Sequence, residues 1–302
     1  MACRTATAAD VRHRFIAADS SAKRIALIDE AGRTVWEHKI GPLHDLQVLP
    51  DEHLLFQTSW TQLIEVDLKT GATVWEYDAA ADAEGAPIEV HAFQRLDGQR
   101  TMIAESGPAR LIEVGADGKL LHTVPLKIDQ PHHHHDTRLV RVIDGHYLVC
   151  HENDGVVREY RSDGKIVWDF PVPLFGRERR PGHGVDAFGN QCFAAVRLPT
   201  GNTLITTGNG HSVLEVTPQR EIVWQLTQRD LPGIELAWVT TVQVLQNGNL
   251  VLGNCHAGPD NPQIIEVDRD KRVVWTFRDF ERFGNALTNS WIIEPAQDAA
   301  GR

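Results

Sequence analysis

The stretch Leu63-Ile-Glu-Val-Asp67-Leu-Lys-Thr-Gly71-Ala-Thr-Val-Trp75 joins an apolar run ending in Glu-Val-Asp, a turn carrying Gly71, and a second run ending in Val-Trp. β-Branched runs flanking a glycine turn read as two short antiparallel strands. The phrase recurs along the chain as Ile25-Ala-Leu-Ile-Asp29 with Gly32 and Val35-Trp36, Leu111-Ile-Glu-Val-Gly115 with Gly118 and Leu121-His122, and Val157-Arg-Glu-Tyr160 with Gly164 and Val167-Trp168. It returns as Val213-Leu-Glu-Val216 with Val223-Trp224 and Ile264-Ile-Glu-Val-Asp268 with Val273-Val-Trp275. Its last aromatic or histidine falls at 36, 75, 122, 168, 224 and 275, with intervals from 39 (36 to 75) to 56 (168 to 224) residues, the length of a propeller blade.

A second phrase precedes most copies, such as Leu198-Pro-Thr-Gly-Asn202 before Thr203-Leu-Ile-Thr206, or Val242-Gln-Val-Leu-Gln-Asn-Gly248 before Asn249-Leu-Val-Leu252. Asn-Gly between alternating runs signals a tight hairpin, so each repeat holds four strands. No long segment shows apolar residues at helical spacing. The expected fold is a single all-β, six-bladed β-propeller over residues 1–302, four antiparallel strands per blade. Blade 1 is expected from 13–40 plus 287–295, blade 2 at 41–79, blade 3 at 87–126, blade 4 at 134–172, blade 5 at 189–228 and blade 6 at 236–279. The first repeat lacks an innermost strand, and Asn289-Ser-Trp-Ile-Ile-Glu294 is expected to supply it, closing the ring and removing an open sheet edge. The repeated Trp36, Trp75, Trp168, Trp224 and Trp275 are expected to pack blade on blade. Glu65, Glu113, Glu159, Glu215 and Glu266, one per blade, are expected to be rim charges or strand-to-strand hydrogen-bond partners.

The formal net charge of −11 argues against nucleic acid or an anionic membrane surface as a partner. The start of the chain carries no apolar signal segment, which points to a cytoplasmic protein. Cys3, Cys150, Cys192 and Cys255 are scattered, with no Cys-x-x-Cys pair, and read as isolated thiols.

Val66-Asp67-Leu-Lys-Thr-Gly71-Ala-Thr-Val-Trp75 resembles the tryptophan-docking, pyrroloquinoline-quinone-like repeat of quinoprotein propellers, and the likeness runs along nearly the whole chain. The segment from Leu198 to Trp224 is also similar to bacterial arylsulfotransferase-like propellers. The first resemblance implies the propeller. Quinoprotein dehydrogenases of this kind have eight blades and hold their quinone with a disulfide of neighbouring cysteines and a calcium ion; the present chain has neither those cysteines nor that many blades, so the quinone is not expected. The second resemblance implies channel histidines near asparagine, one serving as nucleophile. Relatives of this kind are often exported.

Strand direction makes the sharpest functional statement. Innermost strands begin, and second strands end, on one face of a propeller. On that face fall His44-Asp45, His91, the run His132 to His135 with Asp136, Thr240 and Asn289, together with Trp60, Glu105, His151-Glu152-Asn153, Asn209-Gly-His211 and Asn254-Cys-His256. The long insertions at 79–89, 127–136, 173–190, 227–237 and 279–288 lie there too, and long loops on one face of a repeat protein mark the binding face. His44, His91 and His135 are expected to be the catalytic residues, and also the ligands of a divalent metal if one is bound, because neutral imidazole suits such ions and titrates near neutrality. His151, His211, His256, Asn209, Asn254, Glu105, Trp60 and His183 are expected to line the ligand site. His183 stands in Arg177-Glu-Arg-Arg180-Pro-Gly-His183-Gly-Val-Asp186, read as a lid. The expected ligand is a small sugar-like or phenol-like molecule, with metal-assisted hydrolysis or elimination, or histidine-mediated transfer, as the chemistry. The competing reading is a non-catalytic platform for a protein partner.

Overall fold

The computed structural model describes residues 11–82, 87–97 and 100–295. Cys3, and residues 83–86 of the expected 79–89 insertion, lie outside the described residues. The described chain forms 24 strands in six four-stranded antiparallel sheets, with three short 3-10 turns. It is a six-bladed β-propeller.

Blade 1 takes Leu287–Ile292 innermost, then Phe15–Asp19, Arg24–Ile28 and Thr34–Lys39. Blade 2 runs outward through Leu46–Leu49, His53–Gln57, Gln62–Asp67 and Thr73–Asp78, and blade 3 through Glu89–Asp97, Arg100–Ser106, Arg110–Gly115 and Leu120–Pro125. Blade 4 comprises Val140–Ile143, His146–His151, Val156–Tyr160 and Ile166–Pro171. Blade 5 comprises Ala195–Arg197, Thr203–Thr206, Ser212–Val216 and Ile222–Thr227, and blade 6 Trp238–Val244, Leu250–Cys255, Ile264–Val267 and Val273–Phe277. The ring closes as expected, with Phe15 opposite Ile292 and Ala18 opposite Asn289.

In every blade the register slips between the third and outer strands at the same place: after Leu27, Glu65, Glu113, Glu159, Glu215 and Glu266. The residue before each slip lies opposite the terminal Trp or His122. Such a bulge bends the strand and re-aims the side chain beside it. The indole N–H then donates to the next blade: Trp75 to Ala116 O at 3.1 Å, Trp168 to Pro218 O at 3.0 Å, and Trp224 to Arg269 O at 3.1 Å. Arg95, Arg197 and Arg269 from those next blades stack over the same three indoles. The blade glutamates hold these arginines: Glu65 pairs with Arg95, Glu159 with Arg197 and Glu215 with Arg269.

Around the channel a further repeat joins the innermost strands. Gln47 Oε1 accepts from Arg95 N at 2.7 Å, Gln94 Oε1 from Val142 N at 2.8 Å, and Gln243 Oε1 from Ile292 N at 2.8 Å. Cys150, Cys192 and Cys255 are buried free thiols, and burial, with Cys192 alongside, pushes the Cys150 thiol well up. Among the described residues no helix is long and apolar enough to cross a membrane.

Candidate functional site

The start of an innermost strand is where the chain turns in from the blade periphery towards the axis, so residues just before these strands converge. His44 precedes the blade 2 strand, Glu89 and His91 open the blade 3 strand, and His134, His135 and Arg138 precede the blade 4 strand. The His44 ring centroid lies 4.7 Å from His91, 5.7 Å from His134 and 4.8 Å from Trp60. Trp60 lies 5.5 Å from His91 and 5.1 Å from His134, and Phe193, ahead of the blade 5 strand, meets His44 at 5.7 Å. His134 and His135 are 4.9 Å apart. Imidazoles up to 91 residues apart in sequence therefore share one mouth.

Charge at this mouth is organised by one buried ion pair. Arg138 and Glu152 are both buried and joined through Nε and Oε2. Glu152 Oε1 accepts from His135 Nδ1 at 2.9 Å and from Gln191 Nε2 at 2.9 Å. Burial works to raise the Glu152 pKa, but Arg138 and His135 outweigh it and hold the carboxyl below its ordinary value. Burial, reinforced by Arg138 and the neighbouring imidazoles, pushes His44 well below the ordinary histidine value, and burial brings His91 down to about 4. Both rings are therefore neutral at pH 7.

Glu89, His91 and His134 each offer a donor atom, and these atoms lie within 4.8 Å of one another. This set differs from the expected trio of His44, His91 and His135. The turn closed by His135 N and Asp136 N on His132 O aims His134 at Glu89 and leaves His135 on Glu152. His44 stays beside the set, its Nδ1 buried without a hydrogen-bond partner among the described residues.

The remaining expected residues fall into three groups. His183 reaches the rim, 4.5 Å from Trp238 and 5.3 Å from His256, so those two histidines form a neighbouring wall. His183 is tethered through a loop that Arg180 and Phe188 clamp by paired backbone hydrogen bonds of 2.8 and 2.9 Å. His211 sits apart, edge-on to Phe188 at 6.3 Å. Burial, then Arg177 and Arg180, brings it down to about 4.

His151, Glu105, Asn209 and Asn254 serve the scaffold. His151 is fully buried, its Nδ1–H donating to Asp136 O at 2.8 Å and its Nε2 accepting from the Tyr160 hydroxyl at 2.9 Å. Glu105 is buried against Arg110 Nε at 2.6 Å. Asn209 spends its amide on Gln191, and Asn254 on Ala237 N, Glu235 O and Pro262 O. Sequence reasoning missed Glu89, Arg138, Phe193 and Trp238. Glu89 alone had a signal, because two residues from His91 on a strand is the same face.

A family profile described as outer membrane protein assembly factor BamB, built on the pyrroloquinoline-quinone-like repeat, matches residues 21–289. A search of curated proteins gives no sequence match. Among solved structures, a protein of unknown function from Bacteroides caccae is 21% identical with a TM-score of 0.76, covering 94% of this chain and all of that one. A catalytically inactive histidine-to-alanine variant of virginiamycin B lyase from Staphylococcus aureus, with quinupristin, is 12% identical with a TM-score of 0.57, covering 86% of this chain and 78% of that one. These likenesses show the fold.

Proposed function

We propose that this chain, which belongs to the pyrroloquinoline-quinone-like-repeat family described as outer membrane protein assembly factor BamB, binds a small polar ring compound at its histidine-lined mouth and moves a proton there. The observation that carries this reading is the pairing of His135 with Glu152 beside His44, Trp60, His91 and His134. A carboxylate that accepts from Nδ1–H fixes the tautomer, so His135 Nε2 carries the lone pair and is the general base. His135 is partly exposed, whereas Glu152 is fully buried and braced by Arg138. Such a base serves elimination, hydrolysis or group transfer on a sugar-like or phenol-like ligand, with Trp60 as a flat wall for its ring. The fold-level neighbour whose histidine-to-alanine variant is inactive is a lyase, an analogy that favours elimination.

The test uses p-nitrophenyl glycosides and p-nitrophenyl sulfate, whose turnover releases a coloured phenolate. Turnover by the intact chain that falls at least about 100-fold in His135→Gln supports the proposal, that being the usual worth of a positioned base. Undiminished turnover in that variant removes His135 from the role. Calorimetry with the same compounds reads binding where turnover is slow, and no heat with any of them counts against the ligand reading.

A second reading, a platform for a protein partner, draws on the outer strands. They leave Val35, Val74, Leu121, Val167 and Val223 about half exposed at equivalent places on five blades. It is separated by pull-down: partner capture that survives His135→Gln and is lost when these positions become Glu belongs to the platform.

A further inference from the structure

Glu89 opens an innermost strand and His91 is the bulged residue where its register slips between Val90 and Ala92, while His134 stands in a turn that Asp136 Oδ1 secures by accepting from His132 N at 2.7 Å. His91 Nδ1 lies 2.8 Å from Thr137 O, which only accepts, and 3.1 Å from Arg138 Nη1, which only donates and also reaches Thr137 O at 3.1 Å. His91 Nε2 meets Glu89 Oε2 at 3.0 Å. The place between these two atoms holds a proton in the free protein and is where a metal ion would displace it, since metal binding at imidazole releases protons. His134 Nδ1 converges on the same carboxylate oxygen.

An ion with bonds of about 2.0–2.1 Å in tetrahedral array sets its ligand atoms roughly 3.3 Å apart; the three donor atoms here lie within 4.8 Å of one another, so side-chain rotation of about an ångström admits it. The second layer suits a metal as well. The spare His91 nitrogen is held by a backbone carbonyl, and Arg138 donates to the carbonyls of His134 and Thr137 while paired with Glu152. His44, with its unpartnered buried Nδ1, stands 4.7 Å ring to ring from His91.

We infer that Glu89, His91 and His134 bind one divalent first-row transition metal ion through two imidazole nitrogens and one carboxylate oxygen. Two nitrogens and a carboxylate suit Zn2+ or Fe2+, whereas Mg2+ and Ca2+ prefer all-oxygen sets. The remaining coordination positions are free for water or a ligand oxygen. The inference deepens the proposed function and rests on the mouth being the functional site.

The test strips the full chain with chelator and titrates it with Co2+ and Zn2+ by calorimetry and by the visible spectrum of Co2+, with elemental analysis of the protein as purified. The expected result is one ion per chain, Zn2+ and Fe2+ being told apart by the elemental content. Affinity should fall on the order of 100-fold or more in Glu89→Gln and in His134→Ala, with folding checked by circular dichroism. His135→Ala should bind as the parent does, and the double variant His132→Ala/His133→Ala, which removes the His133 imidazole 3.7 Å from Glu89 Oε1 and the His132 Nδ1 that accepts from His134 N, should weaken binding far less than His134→Ala does. No binding, or binding that survives His134→Ala and is lost with His132 and His133, overturns the site. A metal-free chain that still turns over or binds the chromogenic compounds at the mouth, with no ion taken up, overturns this inference and leaves the proposed function standing. One ion bound as described, with none of those compounds bound, leaves the metal site and counts against the function.

Discussion

At His151 burial and hydrogen bonding agree on one charge state. Its ring is fully buried between Asp136 O and the Tyr160 hydroxyl, and burial brings its pKa down to about 4. The unfolded chain takes up a proton near pH 6.5 and the folded chain only near 4, so between those values the unfolded state binds more protons and stability falls as pH falls. One such histidine removes up to about 3 kcal/mol by pH 4. Thermal melts from pH 7 to pH 4 should therefore show a steep loss, and His151→Gln should flatten the slope by about one proton while lowering stability at pH 7. A slope unchanged in that variant would show that His151 is not the group. The same residue marks where sequence stops informing on the site. Alternation and strand direction place His44, His91, His134 and His135 on one face. Which way a strand-end ring turns is decided by neighbours distant in sequence, such as Tyr160 and Asp136. The choice between His134 and His135 hangs on a single tight turn, and Arg138 carries no local signal because its ion-pair partner Glu152 is brought to it by the second strand of the blade.

The blade element is built on one bulge. By placing Glu opposite Trp and slipping the register immediately afterwards, it sends the indole to the following blade, where its N–H finds a turn carbonyl and its face an arginine. Trp168 is the most buried of the repeated tryptophans and packs with Phe170, Val172 and residues of blade 5. Trp168→Ala should cost about 3–5 kcal/mol, and Trp168→Phe, which keeps most of the ring and loses the donor to Pro218 O, much less. Chemical denaturation of both variants checks this, and equal costs would mean that the hydrogen bond rather than the packing holds the joint. The repeated Glu and Trp made this element legible, since six copies of one phrase leave little freedom of interpretation. The glutamine contacts inside the channel leave a trace in the sequence, a Gln-x-Leu before the hairpin turn at 47–49, 94–96 and 243–245, but nothing in that trace says that each amide meets the next innermost strand across the blade boundary.

For the whole molecule, closure is where fold and site depend on the same strand. Leu287–Ile292 pairs with Phe15–Asp19 and receives both amide groups of Gln243 on Ile292, at 2.8 and 2.9 Å, so it joins blade 6 to blade 1. It also reaches the mouth: Thr288 Oγ1 donates to Leu43 O at 2.8 Å and Asn289 Nδ2 to His44 O at 3.0 Å, fixing the backbone that carries His44. Below, Arg141 forks onto fully buried Asp45 at 2.8 and 2.9 Å, and Arg141, Asn289 and Trp291 line a channel cavity of about 240 Å3. Removing the chain from residue 286 onward therefore strips blade 1 of its innermost strand, leaves an unpaired edge at Phe15–Asp19, and frees the segment holding His44. An open edge of that kind templates pairing between chains. The truncated chain is expected to elute as oligomers or aggregate and to lose a cooperative melt. A synthetic peptide of residues 286–295 added in trans should restore a monomer, because the missing strand supplies both the ladder and the two mouth contacts. A truncated chain that stays monomeric and melts like the parent would show that the ring is held by blade packing alone.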